Sequence, residues 1–171
     1  MARAAAALLL SFGLVGLLGA CGFGAQTLQP YTPADGTNLD IGTDAALKIR
    51  NLVIISRAKG EGIVSASLVG NTEDQLTSVT VVPAKPDSSA GTPATATPPA
   101  PISLGGGSLV VLTDQQPLLT VRAPDLAPGL SADVTLQFAK AGAVTLRCPV
   151  VDGTAGQWQT ISPSPSPSPT P

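Results

Sequence analysis

The chain contains no histidine. That removes Ser-His-Asp and Cys-His catalysis and every imidazole-based metal site. Methionine occurs only as Met1, and cysteine only as Cys21 and Cys148, so soft-metal ligation has almost nothing to use. Charged residues make up 12% of the chain, about half the usual share for soluble domains. Lys48, Arg50, Arg57 and Lys59 are separated and flanked by apolar residues. Nucleic acid is therefore not an expected partner, because phosphate contact requires a clustered positive face. With no nucleophile-base constellation visible, the chain reads as a non-enzyme, and no cofactor is expected.

Glycine and proline are abundant instead, 18 and 17 of 171 residues, which predicts many turns and some segments without regular structure. The first twenty residues have one cation, Arg3, then an apolar run from Ala4 to Leu18, then Gly19 and Ala20. This is the layout of a secretory signal peptide, too short for comfortable membrane spanning. Leu18-Gly19-Ala20-Cys21 matches the bacterial lipobox, in which the cysteine receives a diacylglyceryl thioether. Two or more acyl chains, at about 0.8 kcal/mol per buried CH₂, hold a protein stably on a membrane. Cys21 is thus expected to be a lipid anchor on the extracytoplasmic face of the cell membrane. Arg3 leaves with the leader, so eight Lys and Arg then stand against eleven Asp and Glu.

Residues 21–45 lack periodicity and carry turn residues, which predicts a flexible spacer with a reach of about 25 to 30 Å. From Leu47 onward the pattern is period two or short apolar runs bounded by turns, over 47–55, 63–69, 76–82, 108–112, 118–123, 132–138 and 143–151. Seven such strands and no amphipathic helix predict an all-β, antiparallel sandwich over residues 46–155. In the first strand, Leu47, Ile49, Val53 and Ile55 are expected on one face. The segment 83–101 is rich in Pro, Ala and Thr and is expected to be a disordered loop within the domain. Residues 156–171 end in alternating Pro and Ser or Thr, an expected polyproline II tail that could be inert, wall-interacting or O-glycosylated.

Several residues could carry chemistry. Asp35, Asn38, Asp40 and Asp44 offer oxygen ligands, but their spacing lacks the EF-hand order and fits Asx turns better. Glu73-Asp74 reads as a hairpin connection, and no metal site is expected. Cys148 alternates with Val144, Leu146 and Val150, which places its thiol in the core. Trp158 lies beyond the last strand and could cover an open sandwich end or stack on a ligand.

The stretches "LKIRNLVIIS", "LVGNTEDQLTSVTV", "PISLGGGSLVVL" and "DVTLQFAKAGAVTLRCPV" resemble the periplasmic copper-chaperone family of the PCu(A)C type, in particular its actinobacterial lipoprotein branch. The resemblance spans roughly residues 30 to 152 and implies a cupredoxin-like Greek-key sandwich, related in architecture to immunoglobulin domains. It also implies copper ligation by two His and two Met. Here the first ligand stretch is replaced by the loop 83–101, and the second falls near residues 112–121, which offer Gln115 and Gln116 and no soft donor.

The reading is therefore a lipid-anchored binding or scaffold module. Its candidate partner-binding residues are Asp114, Gln115, Gln116 and Trp158, with loop 83–101, and its expected partner is an unknown envelope protein. The alternative is a copper-handling accessory protein of the envelope that works through oxygens or Cys148.

Overall fold

Residues 35–161 are described in this computed structural model. The leader, the lipobox with Cys21, the stretch up to residue 34 and residues 162–171 lie outside the described residues. The described part is all-β, with ten strands and three short 3₁₀ turns. The strands are β1 (Thr37–Ile41), β2 (Leu47–Ala58), β3 (Glu61–Gly70), β4 (Asp74–Pro83), β5 (Ala94–Ala96), β6 (Ile102–Leu104), β7 (Leu109–Val111), β8 (Thr120–Arg122), β9 (Ser131–Phe138) and β10 (Gly142–Asp152).

All seven expected strands are present. The three additional ones, β1, β5 and β6, are only three to five residues long. One layer holds β1, β2, β3, β7 and β8, and the other holds β4, β5, β6 and β9. Strand β10 joins them, running antiparallel to β9 through Gly142–Pro149 and then parallel to β2 through Val150–Asp152. The sandwich is thus mixed at that junction rather than wholly antiparallel. The chain passes between layers after β3, after β6 and after β8, the over-and-across course of a Greek key. Glu73 and Asp74 therefore mark a crossing between layers, not a hairpin, because β3 and β4 do not pair.

The domain begins earlier than residue 46, because β1 pairs with β2 inside the stretch expected to be spacer. The segment 83–101 also carries regular structure. Its β5 pairs with Val79–Val81 of β4, Ala84 bridges Ala90, and Thr92 N donates to Asp125 Oδ2 at 2.9 Å. Its Thr and Ala residues suffice for a strand because Ala96 is buried and Thr95 hydrogen-bonds Thr80 across the pair.

The principal core lies between the layers and includes Phe138, Leu136, Leu68, Ile49, Leu112 and Leu126, all essentially inaccessible. A second, smaller cluster of Val53, Ile55 and Ile63 lies apart from it. This corrects the expected face of β2: Leu47 and Ile49 enter the principal core together with Leu52 and Ile54, whereas Val53 and Ile55 join the second cluster.

The cause is a β-bulge. Asn51 has φ +52° and adds a residue to β2, so that the inward positions shift from odd to even numbers. Asparagine tolerates the left-handed region better than most residues. Two neighbours hold it there: Asn51 N donates to Asn38 Oδ1 at 2.8 Å, and Gly36 N donates to Asn51 Oδ1 at 3.0 Å. Gly36 must be glycine, because a Cβ there would meet the Asn51 carbonyl carbon at 2.5 Å. Asn51→Val forces a β-branched side chain into this conformation and deletes the Gly36 bond, and should lower the unfolding free energy by roughly 2 to 3 kcal/mol. Asn51→Gly keeps the backbone and should cost about 1 kcal/mol. Chemical denaturation of the two variants checks the ranking.

Candidate functional site

The seam where the layers meet between β6 and β7 brings together the chain segments on either side of these two short strands. The 3₁₀ turn Leu112–Asp114 follows β7 directly, and the chain then passes through the cis Gln116–Pro117 bond toward β8. Leu119 enters the principal core and fixes the far end of this turn. Opposite it, Ile102 and Leu104 of β6 are buried and hold the run of prolines before them. Between them lies a cleft of about 270 Å³ lined by Pro98–Ser103 on one side and by Val110, Gln115, Gln116, Pro117 and Leu119 on the other.

The cleft thus unites the segment 83–101 with two of the four candidate partner-binding residues. Asp114 is exposed but does not line it. Trp158 does not line this seam and packs on the second cluster. Gln115 N donates to Leu112 O at 3.3 Å, which closes the turn, and its Nε2 reaches Val111 O at 3.5 Å. The walls present amide, hydroxyl and proline ring groups and no titratable side chain. Such a surface can hydrogen-bond a neutral ligand or peptide backbone, but it has no group to move a proton.

Soft donors are few. Copper held by two His and two Met has no counterpart in a chain without histidine and with Met1 alone. Among the described residues the thiol donor is Cys148, which is 2% exposed, and burial pushes its thiol up to about 12. It belongs to the principal core, where the thiol form is favoured over the thiolate that binds metal or attacks. The hard-donor candidates do not converge either. Asn38 serves the bulge, Asp40 pairs with Arg50, and Asp44 sits at φ +55° in the turn Thr43–Ala45. Among the described residues no group of three His, Cys, Asp or Glu is placed to hold a metal ion.

Asp74 has a role that its sequence context concealed. It lines a second, more open cleft of about 630 Å³ with Glu73, Gly105, Gly106, Ser108 and Lys140. Its carboxylate is only 8% exposed and accepts three backbone hydrogen bonds, from Gln75 N and Lys140 N at Oδ1 and from Ala141 N at Oδ2. Burial alone would raise its pKa, but the three amides and the Lys140 charge together hold it below the ordinary carboxylate range. Asp74 therefore clamps the β9–β10 turn to the start of β4. A period-two reading could not see this, because the partners lie more than sixty residues away.

Because this pKa is depressed on folding, the stabilisation is present above the unfolded value of 3.8 and is lost as pH falls through the lower folded value. Asp74→Asn replaces one accepting oxygen with a donor facing an amide, and should cost about 2 kcal/mol at neutral pH. It should also flatten the acid limb of the stability profile below 3.8, as read by denaturation at a series of pH values. Cys148 should resist thiol reagents in the native protein and react once denaturant is added.

No protein-family model matches the chain, and no curated protein matches it. Among solved structures it is similar to the apo PCuAC domain from PmoF1, at 19% identity over 68% of this chain and 99% of that one, with a TM-score of 0.47. It is also similar to the copper-bound PCuAC domain from PmoF2, at 19% identity over 68% and 98% of the two chains with a TM-score of 0.39. The apo PmoF2 PCuAC domain matches at 20% identity over 70% and 98%, with a TM-score of 0.41.

Proposed function

We propose that this chain is a lipid-anchored protein of the extracytoplasmic membrane face, and that its β-sandwich is a non-enzymatic binding or scaffold module. The observation that carries the reading is Leu18-Gly19-Ala20-Cys21 at the end of an apolar leader that follows Arg3. A cysteine in that position is an acylation site, and acylation on two or more chains makes the attachment durable. The module's binding surface is the neutral cleft between Pro98–Ser103 and Gln115–Pro117, where amides and prolines favour an uncharged segment of an envelope protein. Copper handling is the weaker reading, because neither the cleft nor Cys148 supplies an accessible soft donor.

Intact-mass spectrometry of the protein extracted from membranes should give a polypeptide that begins at Cys21 and carries a fatty adduct. Cys21→Ser should abolish the adduct. A full-length chain that retains Met1 and has no lipid mass would refute the anchor. Titration of the purified protein with Cu(I) and Cu(II) should show no saturable binding tighter than micromolar, and a tight one-to-one site would favour copper handling instead.

A further inference from the structure

The chain has one tryptophan, and it lies outside the principal core. Trp158 sits half-buried in the 3₁₀ turn Gly156–Thr160, and with Ile161, Leu118 and Val151 it packs over Val53, Ile55 and Ile63. The turn is held in place by Arg57, whose guanidinium donates to Gln159 O, and by Gln159 Nε2, which donates to Thr154 O at 2.7 Å. Beside the indole runs an open groove of about 560 Å³, whose lining includes Gly129, Val151, Asp152, Gly156 and Asp35.

Asp35 is the first described residue, so the chain that comes from Cys21 joins the domain at this groove. Thirteen residues, 22–34, separate the two. No conformation of this linker carries Cys21 more than about 50 Å from Asp35. If Cys21 carries lipid, this groove is the part of the domain whose distance from the bilayer is directly bounded. An indole with one apolar face and one N–H favours the headgroup depth of a membrane.

We propose that the groove and Trp158 form the face that this domain lays against the lipid bilayer. The inference rests on the lipoprotein reading given above. The contact is led by the indole and not by cation attraction. Asp35 and Asp152 are the charged side chains of the groove, Asp152 binding Thr154 N and Oγ1, while the nearby Arg57 is engaged by Gln159. Zwitterionic lipid should therefore suffice, with little dependence on salt.

The test uses the mature protein purified from membranes and reconstituted into phosphatidylcholine vesicles, with flotation and tryptophan emission measured on the same sample. The protein should float with the vesicles. Its emission should shift to shorter wavelength relative to a soluble Cys21→Ser form, and should be quenched when the lipid is replaced by phosphatidylcholine brominated near the headgroup end of its acyl chains. Flotation without quenching would overturn the assigned face and leave the anchor standing. Failure to float would overturn both. Quenching that appears only with anionic lipid and disappears in salt would overturn the indole-led contact.

Discussion

One extra residue in β2 governs much of this architecture. A strand with strict alternation would send Leu47, Ile49, Val53 and Ile55 to a single face and leave Leu52 and Ile54 on the other. The bulge at Asn51 divides the strand instead, so that one continuous apolar run supplies two cores. The four residues of β2 before Asn51 and the seven after it could not face two cores without a local left-handed backbone, and Asn38 and Gly36 both bond Asn51 to hold it. The second cluster then requires its own cover. That cover is Trp158 and Ile161, from the part of the chain that follows β10. The position of the tryptophan is thus a consequence of a backbone choice about a hundred residues earlier in the chain.

The polar residues that matter serve the same purpose on the opposite layer. Asp74 closes the β9–β10 turn much as Asn38 and Asn51 close the bulge, with a side-chain oxygen taking amides that the sheet ladder leaves over. Asp125 does so at Thr92 and Asp152 at Thr154, and in each case the amide and hydroxyl donors hold the carboxylate below its ordinary pKa. In a domain with so few charges, most carboxylates that depart from ordinary behaviour are holding backbone. The depressed carboxylates here thus have a structural cause, although such shifts also occur at catalytic centres.

The fold class was legible in the sequence because strand alternation is a local signal, and Val64, Ala66 and Leu68, or Val134, Leu136 and Phe138, face the core as their spacing requires. Three kinds of feature were not. The short strands β1, β5 and β6 carry too few apolar residues to stand out and form because a longer neighbour offers an open edge. The bulge preserves hydrophobicity while breaking its period, so a face assignment across Asn51 fails without any warning in composition. Asp74 and Trp158 act on partners distant in sequence, and no local pattern encodes that. The cleft was half legible: Gln115, Gln116 and the proline-rich segment could be named separately, but their meeting depends on which strand edges the layers leave open.

Those open edges also constrain the binding proposed for the cleft. Strands β5, β6, β7 and β8 are each three residues long, and Pro98, Pro99, Pro101 and Pro117 stand beside them. Short strands and prolines are the usual guards against edge-to-edge pairing, because they remove the row of donors that an incoming strand would need. Leu109 at the start of β7 is 62% exposed, yet only three residues of edge accompany it. A partner that added a strand would gain few backbone bonds. On the proposed reading the seam is better suited to a partner that inserts side chains between the proline wall and the glutamine turn, where the side-chain amides of Gln115 and Gln116 offer donors and acceptors in an uncharged setting. Recognition of that kind depends on shape and a few hydrogen bonds, and fits a domain whose composition leaves little charge with which to attract anything from a distance.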